Sequence, residues 1–390
     1  MADRERLSAA THNSPRTWLI TAALSPLAVR LIRRLLPHGD YVVACLPPHE
    51  IDHDQRSREF RELIDECKSG RKDREGWKDR IRGIRCDGNM SSCLFAVAEA
   101  VRLFNRIDIL LCCRSEAVVG TVEELSATPL TQSLARMQFE SMFFSQVNFI
   151  KAALPVLRKQ RVGHIIALTS TCGHLGTPGL AMFSAATWGF EGYCDSLAYE
   201  VAPFNIKVTI VQPNLEVQSL TSRLIFAPQM SAYTKPSSAA PNVRTMLTNV
   251  LNSNTGTVMP DTRNRGVSAS GSTGSLFYPD TEQGDVVYRY PELLPRSANL
   301  LVNETIHALI AIGGNENPPS RHIVGPDAAA AVQEKLKTVT EEMEDFIDAS
   351  LSVDIYNSEL KEEAKKTKKS RGKNPDARKP EARNSFTRTA

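Results

Sequence analysis

Apolar positions along the chain fall into short dense runs separated by stretches with helical spacing. Thr17–Thr21 (TWLIT) reads as a buried strand. Ser25 and Pro26 follow as an N-cap and a first helical residue. Leu27, Leu31, Ile32 and Leu35 then recur on one helical face until Pro37 and Gly39 end it. Tyr41–Leu46 (YVVACL) is a second strand, stopped by Pro47 and Pro48. Strand, helix and strand in so short a span make a βαβ unit, and strands without polar positions suit a parallel sheet covered by helices on both faces.

The alternation continues with strands at Gly83–Asp87, Asp108–Cys113, Gly163–Ser170 and Lys207–Val211, and helices at Ser91–Phe104, Gln132–Leu157 and Ala181–Val201. A helix at Ala298–Ile312, a strand at Ser320–Val324 and a helix at Asp327–Val353 close the pattern. Four regions stand apart from it. Residues 1–16 are polar and expected to be flexible. Residues 54–80 form a charged helical insertion, longer than a βα connection needs and expected to lie solvated on the surface. Residues 226–283 are rich in Ser, Thr, Asn, Gly and Pro and read as a loop or lid. Residues 354–390 are poor in apolar side chains and are expected to be a disordered basic tail. The pattern therefore predicts one doubly wound α/β domain over residues 17–353.

Composition adds limits. The 390 residues are 42% hydrophobic, ample for a large core. No apolar run approaches a membrane span and the N-terminus has no secretory signal pattern, so a cytoplasmic chain without a membrane partner is expected. The eight cysteines include no CxxC pair and no Cys/His group with zinc spacing, which predicts buried thiols and no metal site. Charge is uneven. From Lys361 onward eleven Lys/Arg face four Asp/Glu, whereas the rest of the chain is net acidic. The run Lys365–Lys373 is similar to a nuclear import signal and makes a nuclear location the alternative. With no matching basic stripe on the folded body, nucleic acid is not an expected partner.

The stretch Gly163–Asn214 (GHIIALTSTCGHLGTPGLAMFSAATWGFEGYCDSLAYEVAPFNIKVTIVQPN) resembles the central segment of a classical short-chain dehydrogenase/reductase. A strand ending in Ser, a Gly-rich turn, a small-residue helix, LAYEVAP and a strand ending in QP come in that family's order. Arg106–Ser115 with Gly120 is similar to its fourth strand and following loop, and Glu316–Leu336 to its C-terminal strand and helix. The resemblance implies a Rossmann-like parallel sheet of about seven strands with helices on both faces. It also implies a ligand crevice at the carboxyl ends of the strands.

Residue by residue, most of the family's functional positions are changed. The glycine-rich T-G-x-x-x-G-x-G motif falls on Thr21–Ala28, with Ala22, Pro26 and Ala28 in place of its glycines. Those glycines let the backbone approach a pyrophosphate, and Pro26 also lacks an N–H that could face it. After the second strand, Cys45–Pro48 offers no charged residue to read the adenine ribose. The family's N-N-A-G is Cys112-Cys113-Arg114-Ser115 here, and Asp87 is retained at the adenine-contacting position. In the family a Tyr donates the proton, a Lys four residues later lowers its pKa, and a Ser and an Asn complete the site. These positions fall on Phe183, Thr187, Ser170 and Met142, so that only Ser170 is kept. Phe183 has no proton to give and Thr187 no charge to tune one. His174, in the loop after Ser170, is the remaining candidate for a substitute acid.

The expected function is a catalytically silent member of the fold, a binding, regulatory or partner subunit with no cofactor or weakly held NAD(P). The alternative is a divergent NAD(P)-dependent oxidoreductase acting on a carbonyl or secondary alcohol. In the resembled family, helices matching Gln132–Leu157 and Ala181–Val201 form the dimer contact. The second carries small residues (Ser184, Ala185, Ala186, Gly189) beside Trp188 and Phe190, so a homo- or heterodimer is expected.

Overall fold

The computed structural model describes residues 14–52, 54–113, 116–214, 223–233 and 295–352. In chain order its elements are β1 (Thr17–Ile20), α1 (Pro26–Leu35), β2 (Tyr41–Leu46), α2 (Pro48–Ile51), α3 (Asp54–Lys68), α4 (Trp77–Arg80), β3 (Ile81–Arg85), α5 (Met90–Phe104), β4 (Ile109–Cys112) and β5 (Glu116–Val119). Then come α6 (Pro129–Phe139), α7 (Ser145–Gln160), β6 (Gly163–Leu168), α8 (Ala181–Val201), β7 (Ile206–Gln212), β8 (Arg223–Phe226), α9 (Pro295–Gly313), β9 (Arg321–Ile323), α10 (Pro326–Asp345) and α11 (Ile347–Ser352). The seven-stranded sheet runs β3-β2-β1-β4-β6-β7-β9. Its described pairings are all parallel. The expected doubly wound α/β fold is therefore the observed one.

Alternation along each strand divides the core into two layers. Trp18 and Ile20 of β1 join Leu27, Leu31, Val302 and Leu309 on the face covered by α1 and α9. Leu19 joins Val43, Ala96, Phe149, Ile150 and Leu197 on the face covered by α5, α7 and α8. The Asp108 carboxylate ties the sheet's lower edge by accepting the Thr17 N–H at 2.9 Å and the Arg106 Nε–H at 2.8 Å. On the same sheet His164 is buried beside Thr209 Oγ1 at 2.9 Å. Its burial, helped by Arg16 and Lys207, pushes its pKa down to about 3, so it stays neutral.

Three features differ from the sequence reading. The charged segment 54–80 is not a purely solvated insertion. Phe60, Leu63 and Cys67, spaced along one face of α3, enter the α1 side of the core together with Trp77. Arg33 of α1 holds Glu66 at 3.1 Å across that contact. Second, the helix expected over 132–157 is α6 and α7 joined by a π turn at Glu140–Phe144, a local widening that admits one extra residue. Third, β5 and β8, which the hydrophobic pattern does not reveal, pair in parallel as a separate two-stranded sheet.

A first compact unit ends at Gln333 and a second begins at Glu334. The second holds the end of α10 and α11. The N-terminal residues 1–13, Arg114 and Ser115, most of the 226–283 loop and the basic tail from 353 lie outside the described residues. All eight cysteines are buried and free. Among the described residues no helix is long and apolar enough to cross a membrane.

Candidate functional site

The order of the strands around β1 places a crevice at the carboxyl ends of β1, β2 and β3, where doubly wound sheets bind ligands. A cavity of about 340 Å³ lies there, lined among others by Thr21, Ala22, Pro47, Asp87, Gln146 and Phe149. Thr21 and Ala22 bring the start of the β1–α1 turn to the cavity, and that turn is closed on itself. Residues Thr21, Ala22, Ala23, Leu24 and Ser25 are each 5% exposed or less. Ser25 caps α1 by accepting the Ala28 N–H at 3.2 Å. The Thr21 and Ala23 N–H groups go to Leu111 O and Cys45 O, and Ser25 N–H to Ala22 O. Pro26 has no N–H. Donors that a pyrophosphate needs at a helix N-terminus are thus largely committed within the chain. Thr21 Oγ1 accepts the Cys113 N–H at 3.0 Å and lies 2.9 Å from Gln146 Oε1, which knits the turn to β4 and α7.

Asp87, the retained adenine-side residue, serves the start of α5. Its carboxylate accepts the Asn89 N–H at 3.0 Å, the Asn89 side-chain amide at 2.8 Å and the Ser92 hydroxyl at 2.6 Å. Partial burial alone would raise its pKa, but the bonds from Ser92 and Asn89 hold it below the usual carboxylate value. Gly88 follows with φ +85°, and a Cβ there would collide with Ser145, so the turn passes close against α7. Cys112 and Cys113 are both buried, Cys112 in the α5–α7 side of the core and Cys113 in the α1 side.

The catalytic positions lie apart from this cavity. Ser170, Phe183, Thr187, Met142 and His174 do not line it. Phe183 and Met142 belong to a closed apolar cluster with Ala117, Val119, Cys172, Leu180, Ala186 and Phe226. The β5–β8 ribbon supplies Ala117, Val119 and Phe226, and the π turn supplies Met142. Ser170 has no exposed surface, and its Oγ accepts the Cys172 N–H at 3.2 Å, capping its own turn. Thr187 is 2% exposed and donates to Phe183 O at 2.9 Å. Phe183 and Met142 thus meet in a packed interior, Thr187 is bonded to the Phe183 carbonyl, and Ser170 is buried in its own turn.

His174 belongs to a polar network that the motif comparison does not find. Glu191 on α8, 3% exposed, receives both Gln212 amide contacts at 2.9 Å and Arg321 at 2.5 Å. Arg321 also reaches Asp195 at 3.0 Å. His174 Nε2 lies 3.1 Å from Gln212 Oε1 and 3.4 Å from Arg321 Nη1, so this ring nitrogen is engaged by the network. A Cβ on Gly173 would fall onto the Glu191 carboxylate, which shows how closely the loop is seated. The signal for Glu191 was present in the sequence as a lone carboxylate on the buried face shared by Phe183, Thr187 and Cys194.

A doubly wound parallel sheet with a crevice at the ends of β1–β3 defines a protein of the Rossmann-like α/β class. Within it, residues 17–222 match the family model for short chain dehydrogenase, and the chain belongs to that family. It is 29% identical over 197 residues to Oxidoreductase BOA17 of Botryotinia fuckeliana, covering 50% of this chain and 64% of that one. It is 38% identical over 125 residues to the 3-ketodihydrosphingosine reductase of Bacteroides thetaiotaomicron, covering 32% of this chain and 45% of that one. These matches span less than two thirds of either relative. A short-chain dehydrogenase from Streptomyces avermitilis shares the fold with a TM-score of 0.62 at 21% identity, covering 88% of this chain and all of that one. The protein is thus an oxidoreductase-like member of the short-chain dehydrogenase family.

Proposed function

We propose that this chain is a catalytically silent short-chain dehydrogenase that serves as a binding or partner subunit, with no cofactor or only weakly held NAD(P). The observation that carries the reading is the apolar cluster around Phe183 and Met142, sealed by Val119 and Phe226 where a carbonyl and a nicotinamide would have to meet. Transfer of hydride to a carbonyl leaves an alkoxide that needs a proton. The side chain at the acid position has none, the one at the lysine position has no charge, and His174 Nε2 is bound to Gln212. Across a panel of aldehydes, ketones and secondary alcohols with either nicotinamide nucleotide, turnover should match a heat-killed control. Robust nucleotide-dependent turnover favours the second reading, a divergent oxidoreductase, which the names of the relatives support.

The partner surface in this reading is the outer face of α8 with the π turn. Ser184, Ala186 and Phe190 turn inward to the chain's own core. Trp188 is 52% exposed, Tyr199 85% and Phe144 50%, and exposed Ala185 and Gly189 leave room for close helix approach. Light scattering at tens of micromolar should give a dimeric mass that Trp188→Asp lowers to the monomer. A strictly monomeric wild type contradicts a homodimer, and a dimer indifferent to Trp188→Asp contradicts this surface.

A further inference from the structure

Beside the cavity the fold brings Glu116 to two neighbouring side chains that are far from it in sequence, His49 and Glu50. His49 and Glu50 sit on the single turn of α2 directly after β2, and Glu116 begins β5. His49 Nε2 lies 3.8 Å from Glu50 Oε1 and 3.5 Å from Glu116 Oε1. One nitrogen and two carboxylate oxygens fall within 4.8 Å of one another. Ligands at the usual Zn–N and Zn–O lengths of about 2.0–2.2 Å stand roughly 3.3–3.5 Å apart around a tetrahedron. The two spacings to His49 Nε2 are close to that edge, and the carboxylate oxygens, within 4.8 Å of each other, reach it by side-chain rotation.

We infer that His49, Glu50 and Glu116 form a site for a divalent transition metal of the zinc class, with its fourth coordination position open to the cavity. Two further observations support a cation there. His49 and Glu116 line the cavity, so a water or ligand donor can complete the set, as in open zinc sites with three protein ligands. The cavity wall also carries the Asp87 and Glu140 carboxylates and, among the described residues, no Lys or Arg, so its local field favours positive charge. Glu50 is 1% exposed, which fixes one ligand rigidly, while the imidazole selects against Mg²⁺ and Ca²⁺, which take oxygen ligands. All three side chains make other interactions as well, and the ion must displace or share them. This inference goes beyond the silent-subunit reading and does not depend on it.

The test is calorimetric titration of the full chain, stripped with chelator, with Zn²⁺ and with Mg²⁺. One equivalent of Zn²⁺ should bind and Mg²⁺ should not compete. His49→Ala and Glu116→Gln should each weaken Zn²⁺ by at least ~100-fold, since even outer-shell losses cost up to about that much. His38→Ala, on the surface away from the cavity, should leave binding unchanged. Co²⁺ substitution should give a visible spectrum of tetrahedral type that Glu116→Gln, close to Glu in shape, abolishes while the circular dichroism stays native. Absence of stoichiometric Zn²⁺ uptake, or uptake that survives both variants, overturns the assignment and leaves an ion-pair cluster only.

Discussion

Phe183→Tyr alone should leave carbonyl reduction at the level of the heat-killed protein. A restored phenol faces two obstacles. Thr187 supplies no cation, so the phenol keeps a pKa near its unperturbed value of about 10 and gives up its proton poorly near neutrality. The position is also 2% exposed, among Met142, Leu180 and Phe226, so the new hydroxyl is buried in apolar surroundings. Leaving such a group without a partner costs about 1–3 kcal/mol, which should appear as a lower melting temperature. General acid–base groups contribute about 10²–10⁴-fold in rate, but only where substrate and nucleotide can reach them. Even Phe183→Tyr with Thr187→Lys and glycines at 22, 26 and 28 meets Met142 and the β5–β8 ribbon across the same space. Steady-state assays of the single and combined variants check this. Measurable nucleotide-dependent reduction by Phe183→Tyr alone would show that the cluster opens readily and that the site is one residue from function.

Glu191→Ala should produce the largest loss of stability of any change near the catalytic loop. The carboxylate is the shared acceptor for Gln212, which is fully buried, and for Arg321, which is 28% exposed at its side chain. Removing one partner of a buried charged pair costs about 3–5 kcal/mol. The lower end applies here, because Arg321 keeps Asp195 and some solvent. Gln212 and His174 are left to rearrange, and the Gly173 turn loses the group it is packed against. Glu191→Gln keeps the shape and one acceptor and should cost distinctly less. Denaturant melts of both variants measure the difference. A loss for Glu191→Ala below about 1 kcal/mol, the range of exposed pairs, would mean the network contributes little.

Much of the sheet was legible because its strands are buried on both sides. TWLI, YVVACL, ILLC and GHIIAL stand out as apolar runs, and each forms a strand of the parallel sheet. Ser25–Pro26 marked the start of α1 because a cap and a first-turn proline are local chemistry. The ribbon was not legible. β5 and β8 are each four residues long, β5 close behind β4 and β8 at the edge of the Ser/Thr/Gly-rich stretch, so the pairing exists only through long-range contact. The same holds for α3, where charges outnumber the Phe60–Leu63–Cys67 stripe that enters the core. At the site, the substitutions at 22, 26, 28, 142, 183 and 187 could be read one by one from the motif. That Phe183 and Met142 share one closed cluster with Val119 and Phe226 depended on the ribbon. The Glu191–Arg321 pair and the His49–Glu116 approach likewise join residues distant in sequence, which no local spacing signals.

The central claim is that the crevice no longer holds a dinucleotide in working order, and nucleotide affinity tests it most directly. Titration of the purified protein with NADH and NADPH, followed by nucleotide fluorescence and by calorimetry, should reach saturation only in the millimolar range. That weakness follows from Pro26, the buried turn and the Ser25 cap on the Ala28 N–H. Binding of either nucleotide in the micromolar range would contradict it.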